Sequence, residues 1–120
     1  MFKNILDLIR YKHWIKNLII FAPLIFSDNL LDNAKVIDVL TVFIYFCFFS
    51  SCIYVFNDLC DYKLDKNVIF KKNRKPIANG KISLALAKII FIILFVLSMV
   101  LIYFSPEIRL PAILFLILNI

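Results

Sequence analysis

Apolar and polar positions fall into long blocks along this chain rather than into short alternations. Residues 36–56 form one such block, 21 positions whose only charge is Asp38 near the start. About 20 apolar residues cross the hydrocarbon core of a bilayer, so this block predicts a transmembrane helix. Residues 84–104 predict a second, with Lys88 close enough to its end to snorkel. Residues 14–31 make a weaker span. Their uninterrupted apolar core, 18–26, is short and holds Pro23, so crossing requires Lys16 and Asn17 to be carried into or near the membrane. A fourth segment, 110–120, is too short to cross. The predicted fold class is all-α, a polytopic transmembrane helix bundle with a loop over 57–82 between the second and third spans.

Composition sharpens this picture. The chain has 120 residues, 63% of them hydrophobic, and one glycine, with a mean hydropathy of +0.93. Soluble domains run nearer 45–50% apolar, which excludes that class. A single glycine excludes a Gly-rich phosphate loop of the P-loop or dinucleotide type. No small-residue cleavage site follows the first apolar run, where Pro23 and Phe26 stand instead, so no cleavable signal peptide is expected. Cys47, Cys52 and Cys60 lack metal-ligand spacing, and the first two read as buried small hydrophobes rather than a disulfide.

Charge placement orients the spans. The amino-terminal segment carries Lys3, Arg10, Lys12 and Lys16; Lys63, Lys66, Lys71, Lys72, Arg74, Lys75 and Lys81 lie between the second and third spans. The connection between the first two has Asp28, Asp32 and Asp38 against Lys35 alone. The positive-inside rule then puts the N-terminus and the 57–82 loop in the cytoplasm.

At that cytoplasmic edge stand Asn57, Asp58, Asp61 and Asp65. On a continuing helix the i, i+3, i+7 spacing projects the three carboxylates from one face, with Tyr54 close by. Like charges so placed destabilise a helix unless something cationic sits among them. Hard oxygen ligands at a wet edge suit Mg²⁺, which takes one or two carboxylates and leaves room for phosphate oxygens. Lys72 and Arg74 belong to the basic run that follows, which reads either as an ordinary cytoplasmic flank or as a cradle for the remaining phosphate oxygens. Lys16 and Asn17 are either interfacial snorkelers or polar groups lining a cavity. Trp14 and His13 fit an interfacial belt, and His13 is assigned no role.

The pattern Asn-Asp-x-x-Asp-x-x-x-Asp, here Asn57, Asp58, Asp61 and Asp65, resembles the first aspartate-rich motif of the UbiA superfamily of intramembrane prenyltransferases. Within that superfamily the chain is most similar to the decaprenyl-phosphate phosphoribosyltransferase branch. That branch opens with Arg-Pro-x-x-Trp-x-Lys-Asn and then Phe-Ala-Pro-Leu. Here Arg10, Trp14, Lys16 and Asn17 precede Phe21-Ala22-Pro23-Leu24, and Arg74-Lys75-Pro76-Ile77-Ala78-Asn79-Gly80 resembles the branch's Arg-Pro-Ile-Ala-x-Gly. Three departures stand out. Val68 and Ile69 replace a His-Pro pair, Lys75 is an extra residue before Pro76, and Tyr11 stands where a proline is expected.

The resemblance implies an Mg²⁺-dependent enzyme of the bacterial inner or plasma membrane. It would transfer a 5-phosphoribosyl group from phosphoribosyl diphosphate to a polyprenyl phosphate for cell-envelope glycan synthesis. Asp58 and Asp61, with Asp65, would hold the metal. Asn57 would orient that shell, Lys16, Asn17, Lys72 and Arg74 would take phosphate oxygens, and Tyr54 would touch substrate. No nucleic-acid partner is expected. Such enzymes have about nine transmembrane helices and a second acidic motif, so the chain is expected to be an N-terminal fragment, completed by a longer frame or by a separately encoded C-terminal half. Two alternatives remain open: an aromatic or quinone prenyltransferase using a prenyl diphosphate, and a non-catalytic membrane fragment.

Overall fold

The computed structural model describes residues 1–119. Six α-helices follow one another: α1 (Phe2–Leu8), α2 (Ala22–Phe26), α3 (Asn33–Asp65), α4 (Ile69–Arg74), α5 (Leu84–Phe104) and α6 (Arg109–Asn119). A 3₁₀ helix, Tyr11–Phe21, leads into α2, and a short one, Pro106–Ile108, leads into α6. There is no strand among the described residues, and α3 and α5 are long and apolar enough to cross a membrane. The all-α membrane bundle expected from the block pattern is the fold. Of the predicted fourth segment, Ile120 lies outside the described residues.

The chain enters α3 through Asp32, whose carboxylate accepts hydrogen bonds from the backbone N–H groups of Ala34 and Lys35. That satisfies two donors that a helix start leaves without internal partners. At 1.5 Å per residue the 33 residues of α3 extend about 50 Å, against roughly 30 Å of hydrocarbon core. The aspartate-bearing end therefore stands clear of the apolar stretch as a rigid helical post. This corrects the expected loop over 57–82: its first nine residues, 57–65, are helix, and α4 occupies part of the rest.

The weak first span also differs from expectation. Residues 14–31 do not make one α-helix; they pass from 3₁₀ winding to α2, then into a turn where Asp28 takes φ 55°. Aspartate is among the few non-glycine residues that tolerate this left-handed region. Tyr11–Phe21 lies against α3. Trp14 Nε1 donates to Ser51 Oγ at 2.9 Å, Asn17 Nδ2 donates to Cys47 Sγ at 3.6 Å, and the Phe21 and Phe43 rings lie 5.4 Å apart. Ser51 Oγ in turn donates to the Ile9 carbonyl at 2.8 Å, so one buried hydroxyl ties the amino-terminal segment down at two points.

α3 packs mainly on α5. Cys52 and Val55 of α3 share a core with Leu8 and with Ala87 and Leu94 of α5. Ile77 and Ile82, from the connection between α4 and α5, fill the same core. A second cluster joins Tyr45, Phe49 and Ile53 to Ile108 and Ala112. The 76–82 connection is pinned by its own backbone: Ile82 N–H donates to the Pro76 carbonyl and Gly80 N–H to that of Ile77. Gly80 takes φ 78°, which a side chain would disfavour, and Ser83 caps α5 through Leu86 N–H. Ile77 thus plugs the loop into the core and fixes the residue two before it.

All three cysteines are free, with Cys47 and Cys52 buried and Cys60 exposed. In detergent, a maleimide is expected to modify one thiol per chain rapidly, at Cys60, and the other two only after denaturation. Peptide mass spectrometry checks this.

Candidate functional site

The helical post carries three aspartates, but only two converge. With about 100° per residue, Asp65 falls about 20° from Asp58 around α3, whereas Asp61 falls about 60° away. Asp58 and Asp65 are each 2% exposed; Asp61 is exposed. The expected three-carboxylate shell is therefore not assembled, and no group of three acidic, histidine or cysteine side chains suited to a metal occurs among the described residues.

Two buried carboxylates on one face demand cations, and two other segments supply them. Lys75 Nζ lies between the pair, 3.0 Å from Asp58 Oδ1 and hydrogen-bonded to Asp65 Oδ2. Arg10 Nη2 donates to Asp58 Oδ1 at 2.9 Å, and Lys71 Nζ is 3.5 Å from Asp65 Oδ1. Burial alone would raise the Asp65 carboxyl. The hydrogen bond and charge of Lys75, with Lys71 behind it, outweigh that and hold it below the usual carboxylate value. Burial likewise works against the Lys75 ammonium, but Asp65 and Asp58 more than compensate and raise it.

Arg10 reaches Asp58 because its backbone turns left-handed, φ 53°, between α1 and the 3₁₀ helix. That conformation costs a non-glycine residue roughly 1–2 kcal/mol. It places the guanidinium 4.7 Å over the Tyr54 ring as well as on Asp58. His13 meets the same ring edge-on at 5.4 Å, and its Nδ1 is buried without a hydrogen-bond partner. Burial first, then the charges of Lys16 and Arg10, push His13 below its usual value, so it is neutral at neutral pH.

Beside the pair opens a cleft of about 700 Å³. Five cationic side chains line it (Arg10, Lys12, Lys71, Arg74, Lys75) against two carboxylates, Asp7 and Asp58. Such a surplus of positive charge in a walled cleft favours a polyanion. Of the residues singled out in the sequence, Asp58, Arg74 and Tyr54 meet at or beside this cleft, and Arg74 stacks 4.2 Å over Phe70 on its wall. Asp65 adjoins it through Lys75. Asn57 is half-buried next to Asp58 in sequence. Lys72 instead borders a separate groove with Tyr62 and Lys66. Lys16 is exposed and does not line the cleft, and Asn17 is engaged with Cys47 lower on α3. Sequence reasoning missed Arg10, Lys71 and Lys75 as site residues. The seven-residue step from Asp58 to Asp65 was the available signal that a cation must bridge them.

The donor set bears on the implied Mg²⁺. Asp58 and Asp65 direct hard oxygens at one cation position, and the Lys75 ammonium stands in for a cation there. The pair fits Mg²⁺, which asks for one or two carboxylates; Asp61 does not join it.

A buried acidic pair thus stands at the end of a long apolar helix, beside a cleft lined by a surplus of cationic side chains. The sequence profile of the UbiA prenyltransferase family matches residues 18–120, and the chain belongs to that family. It is also 34% identical, over 111 residues, to the decaprenyl-phosphate phosphoribosyltransferase of Corynebacterium glutamicum, covering 88% of this chain and 33% of that protein. The chain thus spans about a third of the length of this relative. No solved structure matches it.

Lys75→Ala leaves two buried carboxylates facing each other and is expected to destabilise the chain by about 1–3 kcal/mol, whereas Lys72→Ala stays within about 0.5 kcal/mol. Because Asp65 is depressed, its contribution is present above pH 3.8 and lost as pH falls through its lower folded value. Because Lys75 is raised, its contribution is present below pH 10.5 and lost as pH rises through its higher folded value. Thermal unfolding in detergent across pH checks both: the gap between wild type and Lys75→Ala should be widest between those limits and close outside them.

Proposed function

We propose that the chain forms the diphosphate-binding part of a membrane transferase that moves a 5-phosphoribosyl group from phosphoribosyl diphosphate to a polyprenyl phosphate. The observation that carries this reading is the cleft in which five cations surround the Asp58 end of α3. The match to a decaprenyl-phosphate phosphoribosyltransferase supports the choice of substrates.

In this reading a phosphate oxygen of the lipid attacks C1 of the ribose. The C1–O bond to the diphosphate breaks, and its electron pair leaves with the diphosphate. Arg10, Lys71, Arg74 and Lys75 stabilise the negative charge gathering on that leaving group, in a cleft where preformed cations need little reorganisation. Mg²⁺ is the proposed cofactor, held by Asp58 and Asp65; when bound it neutralises diphosphate oxygens as a Lewis acid. Tyr54 fixes the Arg10 guanidinium, and Asn57 borders the shell. Lys72 and Lys16, away from the cleft, keep a role only toward the lipid phosphate or the bilayer surface. The site faces the cytoplasm in this proposal, in line with the flanking positive charge. Residues supplied by the remaining two thirds of such an enzyme would complete the enclosure.

Membranes from cells expressing the gene through its full reading frame should form lipid-linked phosphoribose from labelled phosphoribosyl diphosphate, polyprenyl phosphate and Mg²⁺. Arg10→Ala and Asp58→Asn should each lower the rate by about a hundredfold or more, the scale of losing a charge stabiliser in a closed site. Turnover of an allylic diphosphate in place of phosphoribosyl diphosphate would overturn the donor assignment. Impermeant maleimide should reach Cys60 in inverted vesicles and not in intact cells.

A further inference from the structure

Taking the Asp58–Asp65 pair as the metal site proposed above, we infer that Lys75 is a built-in counter-ion that closes the pair to divalent cations until a diphosphate draws its ammonium away. Lys75 Nζ contacts both carboxylates at once, at a position that a shared metal ion would need. With Arg10 and Lys71 also in contact, three positive charges already oppose two negative ones. A free divalent cation therefore approaches a cluster of net positive charge and must displace an ammonium held by both carboxylates.

A diphosphate reverses that balance. Lys75 and Lys71 both line the cleft, so phosphate oxygens entering there compete with the carboxylates for the same ammonium groups. The backbone beneath Lys75 does not have to move. Pro76, Ile77 and Ala78 are buried, and Asn79 N–H donates to the Lys75 carbonyl. Only the flexible four-carbon stem swings, which suits lysine's compact point charge better than arginine's planar fork. Metal and diphosphate then load together, each tightening the other's binding, as linkage requires. The pair is kept neutralised in the empty enzyme, where two bare carboxylates would repel.

Equilibrium dialysis of the full chain in detergent, with Mn²⁺ as probe and inorganic diphosphate present or absent on both sides, tests this without any activity readout. Wild type should retain little Mn²⁺ alone and close to one per chain with diphosphate. Lys75→Gln, whose amide can still hydrogen-bond to either carboxylate, should bind Mn²⁺ alone about tenfold or more tightly than wild type, for the loss of one competing charge. Helical circular dichroism checks its fold, and the two wild-type arms need no substitution. Equal Mn²⁺ retention by wild type with and without diphosphate overturns the inference, as does equal affinity of wild type and Lys75→Gln. Adding Asp58→Asn and Asp65→Asn to Lys75→Gln separates the two readings. If Mn²⁺ binding survives them, the metal site itself is wrong; if they abolish it while wild type and Lys75→Gln agree, only the role of Lys75 falls.

Discussion

Two carboxylates buried seven residues apart on one helix are the constraint around which this structure is arranged. Asp58 and Asp65 cannot be withdrawn from water at the end of α3 without counter-charge. Arg10 meets that demand from the amino-terminal side, and Lys71 and Lys75 meet it from the α4 side. Each arrives at a structural cost or with structural support. Arg10 takes a left-handed backbone, and Lys75 is carried on a turn plugged into the core by Ile77. The electrostatics of the post and the packing of the bundle are thus one problem with one solution.

The same arrangement explains why the site is both stable and receptive. Ion pairs neutralise the carboxylates, and Arg10, Lys71 and Lys75 in those pairs also line the cleft. In the proposed function a phosphorylated ligand has only to compete for charges already gathered. The long apolar helices α3 and α5 lie beside this charged end, and in the proposed function they bring a lipid substrate to the cleft.

Much of this was legible in the sequence, and for identifiable reasons. Long apolar blocks gave α5 and the start of α3, because in a membrane the length of an apolar run is itself a structural requirement, while the nine residues by which α3 outruns its block are mostly polar and carry no such signal. The aspartate spacing placed Asp58 and Asp65 together by helical geometry alone. Asp61 could not be sorted from them by spacing, since 60° of rotation separates a buried position from an exposed one only once a neighbour such as Lys75 covers one side. Arg10 and Lys75 escaped notice as site residues because their roles depend on contacts across 48 and 17 residues of chain, between segments whose packing no local pattern reveals. The basic run hid the same distinction: Lys71 and Lys72 are adjacent, but α4 turns them toward different grooves. The 3₁₀ winding of the weak first span was not legible, because its short apolar core and Pro23 say how far the run extends but not how it is wound.

That 3₁₀ winding has a metrical consequence. A 3₁₀ helix rises about 2.0 Å per residue and an α-helix about 1.5 Å, so three residues of one match four of the other at about 6 Å. Trp14 and Asn17, three apart, accordingly meet Ser51 and Cys47, four apart. The next step, to Phe21 and Phe43, is four against four, where the coil is already relaxing into α2. Towards the cleft the match ends: His13 and Tyr54 lie one and three residues beyond Trp14 and Ser51, and Arg10 stands before the 3₁₀ helix in its left-handed turn. Over that stretch the two helices engage like the scales of a vernier, and the turn at Arg10 carries its guanidinium from the end of the scale onto Asp58. Inserting or deleting a residue anywhere between Arg10 and Asn17 would shift that scale by one division and carry the guanidinium off the carboxylate.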